Sequence, residues 1–142
     1  MTIAAILGGK GRDVVSIDGD RTVADAVSLL SSRRIGAVPV MSGGTVAGIF
    51  SERDVVYGLE REGAAALARK VSEVMTAPAI TVGPGETVLG ALALMTRRRI
   101  RHLPVVDGGT CIGFVSIGDL VKYRIERIES EAEAMRAYIQ AV

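Results

Sequence analysis

The stretch GAVPVMSGGTVAGIFSERD, residues 36–54, decides the fold, because the chain writes it again as RHLPVVDGGTCIGFVSIGD, residues 101–119. The copies share Pro39 and Pro104, Val40 and Val105, Gly43-Gly44-Thr45 and Gly108-Gly109-Thr110, Gly48 and Gly113, Ser51 and Ser116, and Asp54 and Asp119. In each, two apolar, β-branched runs flank a Gly-Gly pair. Paired glycines supply the positive φ of a tight turn, so each stretch reads as a β-hairpin. The Ser that ends the second run, with Asp three residues on, reads as the start of a helix.

Working outward, the similarity extends without a gap over residues 14–56 and 79–121, where 16 of 43 positions are identical at an offset of 65. The chain is therefore a duplication. Residues 14–17 and 79–82 are short β-prone runs. Thr22 and Thr87 are N-cap candidates. Behind them, Val23, Ala26, Val27 and Leu30 form an apolar stripe at helical spacing, as do Val88, Ala91, Leu92 and Met95. Each copy thus reads β-α-β-β-α. One copy alone would be marginal by size, so the two are expected to bury their sheets against each other. The expected class is α/β (α+β): two repeated units about a pseudo-two-fold axis with two equivalent clefts, plus a long C-terminal helix. The expected divisions are 1–66 for the first repeat, 67–123 for the second and 124–142 for the helical extension. Residues 2–7 and 71–75 are expected to lead into the first and second repeats.

The 142 residues are 49% hydrophobic but only 4% aromatic, so the core is aliphatic. A net charge of +1 gives no global field toward nucleic acid or an anionic membrane. The single cysteine, Cys111, excludes an intrachain disulfide and a thiolate metal cluster. The N-terminal residues lack a basic region, and the longest uncharged run, residues 35–51, is 17 residues broken by Pro39, Gly43 and Gly44. A cytoplasmic protein in a reducing compartment is the expectation.

Three segments together resemble the cystathionine-β-synthase (CBS) domain family. They are Val-Ser-Glu-Val-Met-Thr at 71–76, Arg-His-Leu-Pro-Val-Val-Asp at 101–107, and the closing Gly-x-h-Ser-x-x-Asp pattern at 48–54 and 113–119. The resemblance runs from about Thr2 to Val121. It implies a tandem CBS pair, usually a homodimer, with clefts for AMP, ATP, NAD or S-adenosylmethionine as a regulatory ligand and no catalytic cofactor.

A strand that ends at a helix N-terminus offers free amides and a positive dipole end to a phosphate. The Ser hydroxyl adds a hydrogen bond, and a carboxylate one turn in can accept from ribose hydroxyls. The resemblance carries these roles onto Ser51, Asp54, Ser116 and Asp119. The plain alternative is a capping box with no ligand. Val15, Ile17, Ile35, Ile80, Val82 and Ile100 are candidates for an adenine slot, and equally for core. Arg53 faces Gly118 in the other copy, and Arg101-His102 replace Gly36-Ala37, so the clefts are expected to be unequal. Arg53 could hold phosphate. The resemblance puts Arg101 and His102 at phosphate contacts, and a His near its ordinary pKa adds a pH-sensitive charge.

Gly8-Gly9-Lys10-Gly11 is not a P-loop, since the spacing is wrong and no Ser or Thr follows Lys10. No set of residues recurs that would make a nucleophile with an oriented base, so an enzyme is not expected. The rival readings are a nucleic-acid binder using Arg97, Arg98, Arg99 and Arg101, and a purely structural dimerisation module. After Asp119, the residues Val121, Ile125, Ile128, Ala132, Met135 and Ile139 repeat at 4, 3, 4, 3, 4, a heptad seam that either folds back on the core or meets a second chain.

Overall fold

The computed structural model describes residues 1–10 and 13–141, so Gly11 of the Gly8-Gly9-Lys10-Gly11 run lies outside the described residues. The first half contains β1 (Ile17–Asp18), α2 (Val23–Arg33), β2 (Ala37–Ser42), β3 (Thr45–Ser51) and α3 (Glu52–Glu62), preceded by α1 (Ile3–Lys10). A 3-10 segment (Gly63–Ala68) and α4 (Val71–Val74) lead to α5 (Val88–Arg98), β4 (His102–Asp107), β5 (Thr110–Ser116) and α6 (Ile117–Ala141). This is a mixed α/β pair of repeats with a long C-terminal helix.

The hairpins form as the glycines require. Gly43 and Gly44 have φ of 58° and 83°, and Gly108 and Gly109 have 58° and 80°. β2 and β3 pair antiparallel with a register shift between Val40 and Met41, and β4 and β5 repeat it between Val105 and Val106. The opening strands differ. β1 runs parallel to β2, and beyond it the Gly19 amide donates to Met41 O at 3.1 Å. In the second half only Val82 bridges Val105. At the offset of 65, Pro84 stands where Gly19 stands, and proline has no amide to extend the ladder.

Two cores form, and each takes its lead-in helix from the other half of the chain. Val71, Val74 and Met75 pack with Ile17, Val23, Leu30, Val38 and Phe50 of the first half. Ile3, Ile6 and Leu7 pack with Val88, Met95, Leu103, Val115 and Leu120 of the second. The backbone follows the same exchange. Val71 N donates to Arg21 O at 2.8 Å, and Ile3 N donates to Glu86 O at 2.8 Å. The two halves are therefore laced into one unit.

Glycine stands at both crossings. A Cβ on Gly48 would lie 2.7 Å from Met75 Sδ and 2.7 Å from Thr76 O, and one on Gly113 would lie 2.5 Å from Leu7 Cδ2. Met75 and Leu7 are thus equivalent, each laid across a glycine of a β-hairpin.

The C-terminal seam does not fold back. α6 is one continuous helix of 25 residues whose only buried residue is Leu120. Ile125 and Ile128 are half exposed, and Met135 and Ile139 more so.

Because Ile3 is fully buried in the far half, Ile3→Ala should cost about 2–5 kcal/mol despite its place at the chain terminus. Urea unfolding would measure it, and a loss under about 0.5 kcal/mol, a surface-like value, would contradict the exchange.

Candidate functional site

The corner where β3 meets α3 builds the first cleft. Ser51 is extended (φ −130°, ψ 167°) and the helix begins at the next residue, so the free amides and positive end of α3 open at residues 51–54. Asp54, one turn in, is only 9% exposed. Its carboxylate accepts from the Ser51 amide at 2.9 Å, the Ser51 hydroxyl at 3.3 Å and the Thr76 hydroxyl at 3.2 Å. All three donors are neutral.

A cavity of about 500 Å³ joins this corner to the turn between α5 and β4 of the other half. Ile49, Ser51, Glu52, Arg53, Asp54 and Tyr57 line it from the first half, Arg99, Ile100, Arg101 and His102 from the second, with Gly36 and Thr76. Three arginines and two acidic residues thus line one cleft beside a helix N-terminus, a composition that can take an anion. Arg99 has a left-handed φ of 53°, a conformation that costs a non-glycine residue about 1–2 kcal/mol. Arg34 has the same φ in the first half, so this cap belongs to the repeat rather than to the cleft.

His102 stacks on Phe114 with ring centroids 5.5 Å apart and planes 10° from parallel. Burial pushes its pKa below the ordinary imidazole value, Lys10 and Arg101 push the same way, and Asp119 and Glu52 oppose them. The lowering favours the neutral imidazole over the charged form. An anion beside it would raise its pKa.

The second corner is furnished differently. The Asp119 amide donates to Ser116 Oγ at 3.1 Å and the Ser116 amide to Asp119 Oδ2 at 2.9 Å, a complete capping box. Lys10, the last residue of α1, places Nζ 2.6 Å from Asp119 Oδ2 and 2.7 Å from Phe114 O. Counting from the equivalent Leu7 and Met75, Gly8 stands where Thr76 stands. The first cleft meets its carboxylate with a hydroxyl, and the second meets it with an ammonium. Burial alone would raise the Asp119 carboxyl, but the Lys10 ammonium and the Ser116 groups outweigh it and hold its pKa below the usual carboxylate value.

The cleft brings together Ser51, Arg53, Asp54, Ile100, Arg101 and His102 of the residues singled out from sequence. Ser116 and Asp119 lie at the second corner. Ile17 and Val82 are buried in the two cores, Val15 and Ile35 pack against the first, and Ile80 and Ile100 against the second. Ile17 also lines a groove of about 440 Å³ with Asp18, Arg21 and Asp25. Sequence reasoning missed Thr76, Tyr57, Glu52, Ile49 and Lys10 as neighbours of the closing motifs. Thr76 did stand in the segment at 71–76 that carried the family resemblance. Cys111 donates to Gly113 O at 3.4 Å, and burial pushes its thiol pKa up, away from thiolate chemistry. Among the described residues no helix is long and apolar enough to cross a membrane.

The CBS domain family model matches residues 11–61 and 71–126. The chain belongs to the CBS-domain family. It is 38% identical over 151 aligned positions to a mitochondrial CBS domain-containing protein of Arabidopsis thaliana (CBSX3), covering 98% of this chain and 72% of that one. A crystal structure of a CBS-domain containing protein from Agrobacterium tumefaciens superposes with a TM-score of 0.84 at 39% identity, covering 87% of this chain and 99% of the other. The CBS domain pair of protein MJ0100, solved with 5-methylthioadenosine and S-adenosyl-L-methionine, has the same fold, with a TM-score of 0.79 at 21% identity and coverage of 89% and 98%.

Replacing Lys10 by Met should move the Asp119 pKa upward, because burial then meets less opposition. A carboxyl held low in the folded state stabilises it above the unfolded pKa, and this is lost as pH falls through the lowered folded value. The variant should therefore lose stability at pH 7 and converge on the wild type at a pH below the lowered value. Carboxyl NMR titration with urea unfolding at both pH values measures this. An unchanged Asp119 pKa would contradict the ion pair.

Proposed function

We propose that this chain is a regulatory module that senses an adenosine-containing ligand, works as a homodimer, and carries out no catalysis. The observation that carries the reading is the convergence, in one cavity of about 500 Å³, of a buried carboxylate, a helix N-terminus and three arginines. The size suits a small-molecule site. In this reading Asp54 accepts from the ribose hydroxyls. Arg53, Arg99 and Arg101 hold the anionic part of AMP, ATP or NAD, and Ile49 with Ile100 flank the base. S-adenosylmethionine shares the nucleoside but presents a cation and fewer negative charges, so the arginines favour the phosphorylated ligands over it. The complexes of the MJ0100 pair with adenosyl compounds support the ligand class. Occupancy acts by differential affinity for two arrangements of the laced halves. The single half-buried cysteine supports a reducing compartment such as the cytoplasm.

The two sites are unequal. Asp54 needs no ion pair broken to receive a ligand, whereas Asp119 must exchange Lys10. Calorimetry with AMP, ATP, NAD and S-adenosylmethionine should find a site tighter than about 1 mM, or −4 kcal/mol. Asp54→Ala should abolish the tighter site, and Asp119→Ala should leave it. Binding of none of the four, or two identical independent sites, would overturn the reading.

A further inference from the structure

From residue 125 to residue 141 every position of α6 is exposed except the half-buried Ala132. That is about 25 Å of helix at 1.5 Å per residue, and most helices in proteins owe their stability to the packing of an apolar face. Its apolar seam, Val121, Ile125, Ile128, Ala132, Met135 and Ile139, lies on this bare face. The flanking charges say what covers it.

With Ile125, Ala132 and Ile139 at a, and Val121, Ile128 and Met135 at d, the g positions hold Arg124 and Glu131, and the e positions hold Glu129 and Arg136. In a parallel pair each g residue faces the e residue five positions on in the other helix. Arg124 then meets the partner's Glu129, and Glu131 meets the partner's Arg136. Symmetry doubles both pairs, and all are of opposite sign. Glu131 also accepts from Arg127 of its own helix at 3.1 Å, which orients it. An antiparallel pair in the register that closes the same seam sets e against e and g against g. Glu129 would meet the partner's Glu129, Glu131 the partner's Glu131, and Lys122 the partner's Arg136, all of like sign.

We propose that α6 forms a parallel, in-register two-stranded coiled coil with a second copy of this chain. The proposal rests on the homodimer reading above and adds its orientation. It places the two Ser116–Asp119 corners, where the helices begin, at the same end of the coil.

The test uses the full chain with Cys111→Ser, so that introduced thiols are the only ones. In a parallel coil Met135 meets itself, and Met135→Cys should cross-link to a covalent dimer under mild oxidation. In an antiparallel coil it lies opposite residue 125, some 15 Å from its own copy, beyond disulfide reach. Only a mixture of Ile125→Cys and Met135→Cys chains would then cross-link. Arg124→Glu should weaken dimerisation roughly tenfold, and Arg124→Glu with Glu129→Arg should restore it. Cross-linking by Met135→Cys alone, with charge rescue, supports the parallel coil. A dimer that cross-links only in the mixture, or is indifferent to Arg124→Glu, overturns the orientation and leaves the homodimer standing. A wild type monomeric at high micromolar concentration in light scattering overturns both. Circular dichroism confirms that each variant is folded.

Discussion

Two glycines, Gly48 and Gly113, stand where the lead-in segments cross the hairpins. Each lets a lead-in segment lie directly on a β-hairpin, Met75 and Thr76 on one and Leu7 on the other. Because each segment comes from the far half, neither half closes its core alone. The apolar side chains of α1 complete the second core, and those of α4 complete the first. The exchange also delivers chemistry. It brings the Thr76 hydroxyl to Asp54 and the Lys10 ammonium to Asp119. The lead-in segments thus add to the difference that Arg53 against Gly118, and Arg101-His102 against Gly36-Ala37, already make between the two corners.

Local features were legible in the residues. The hairpins follow from Gly43-Gly44 and Gly108-Gly109, because tandem positive φ is a property of the turn itself. The helix starts at Ser51 and Ser116 follow from side chains that bond within three residues. The exchange was not legible. The apolar residues of 3–7 and 71–75 announce burial but not the surface that receives them, and both hairpins offer the same glycine. The second opening strand shrank to one bridge because Pro84 lacks the amide that Gly19 uses, a detail the β-prone run at 79–82 conceals. Of the six apolar candidates for a base slot, only Ile100 lines the cleft, since alternation does not say whether a buried side chain faces the core or a cavity. Lys10 reads as an incomplete phosphate loop until the fold brings it across 109 positions to Asp119.

Electrostatics turns two related corners into different sites. At Asp54 a nearly buried carboxylate is held by neutral donors, in a cleft that three arginines line. At Asp119 the charge is already balanced by an ammonium 2.6 Å away. The duplicated corners thus differ: one carboxylate is bound by neutral donors and the other by an ammonium. α6 starts at the second corner, two residues before Asp119.

The central claim is that the cavity between the β3–α3 corner and the α5–β4 turn receives an adenosyl ligand. Backbone amide chemical-shift mapping during titration with AMP tests it most directly. The account predicts that the largest shifts fall on residues 51–57, Thr76 and residues 99–102, with smaller ones at residues 116–119. Shifts centred on Asp18, Arg21 and Asp25, or no shifts up to millimolar AMP, ATP, NAD and S-adenosylmethionine, would contradict it.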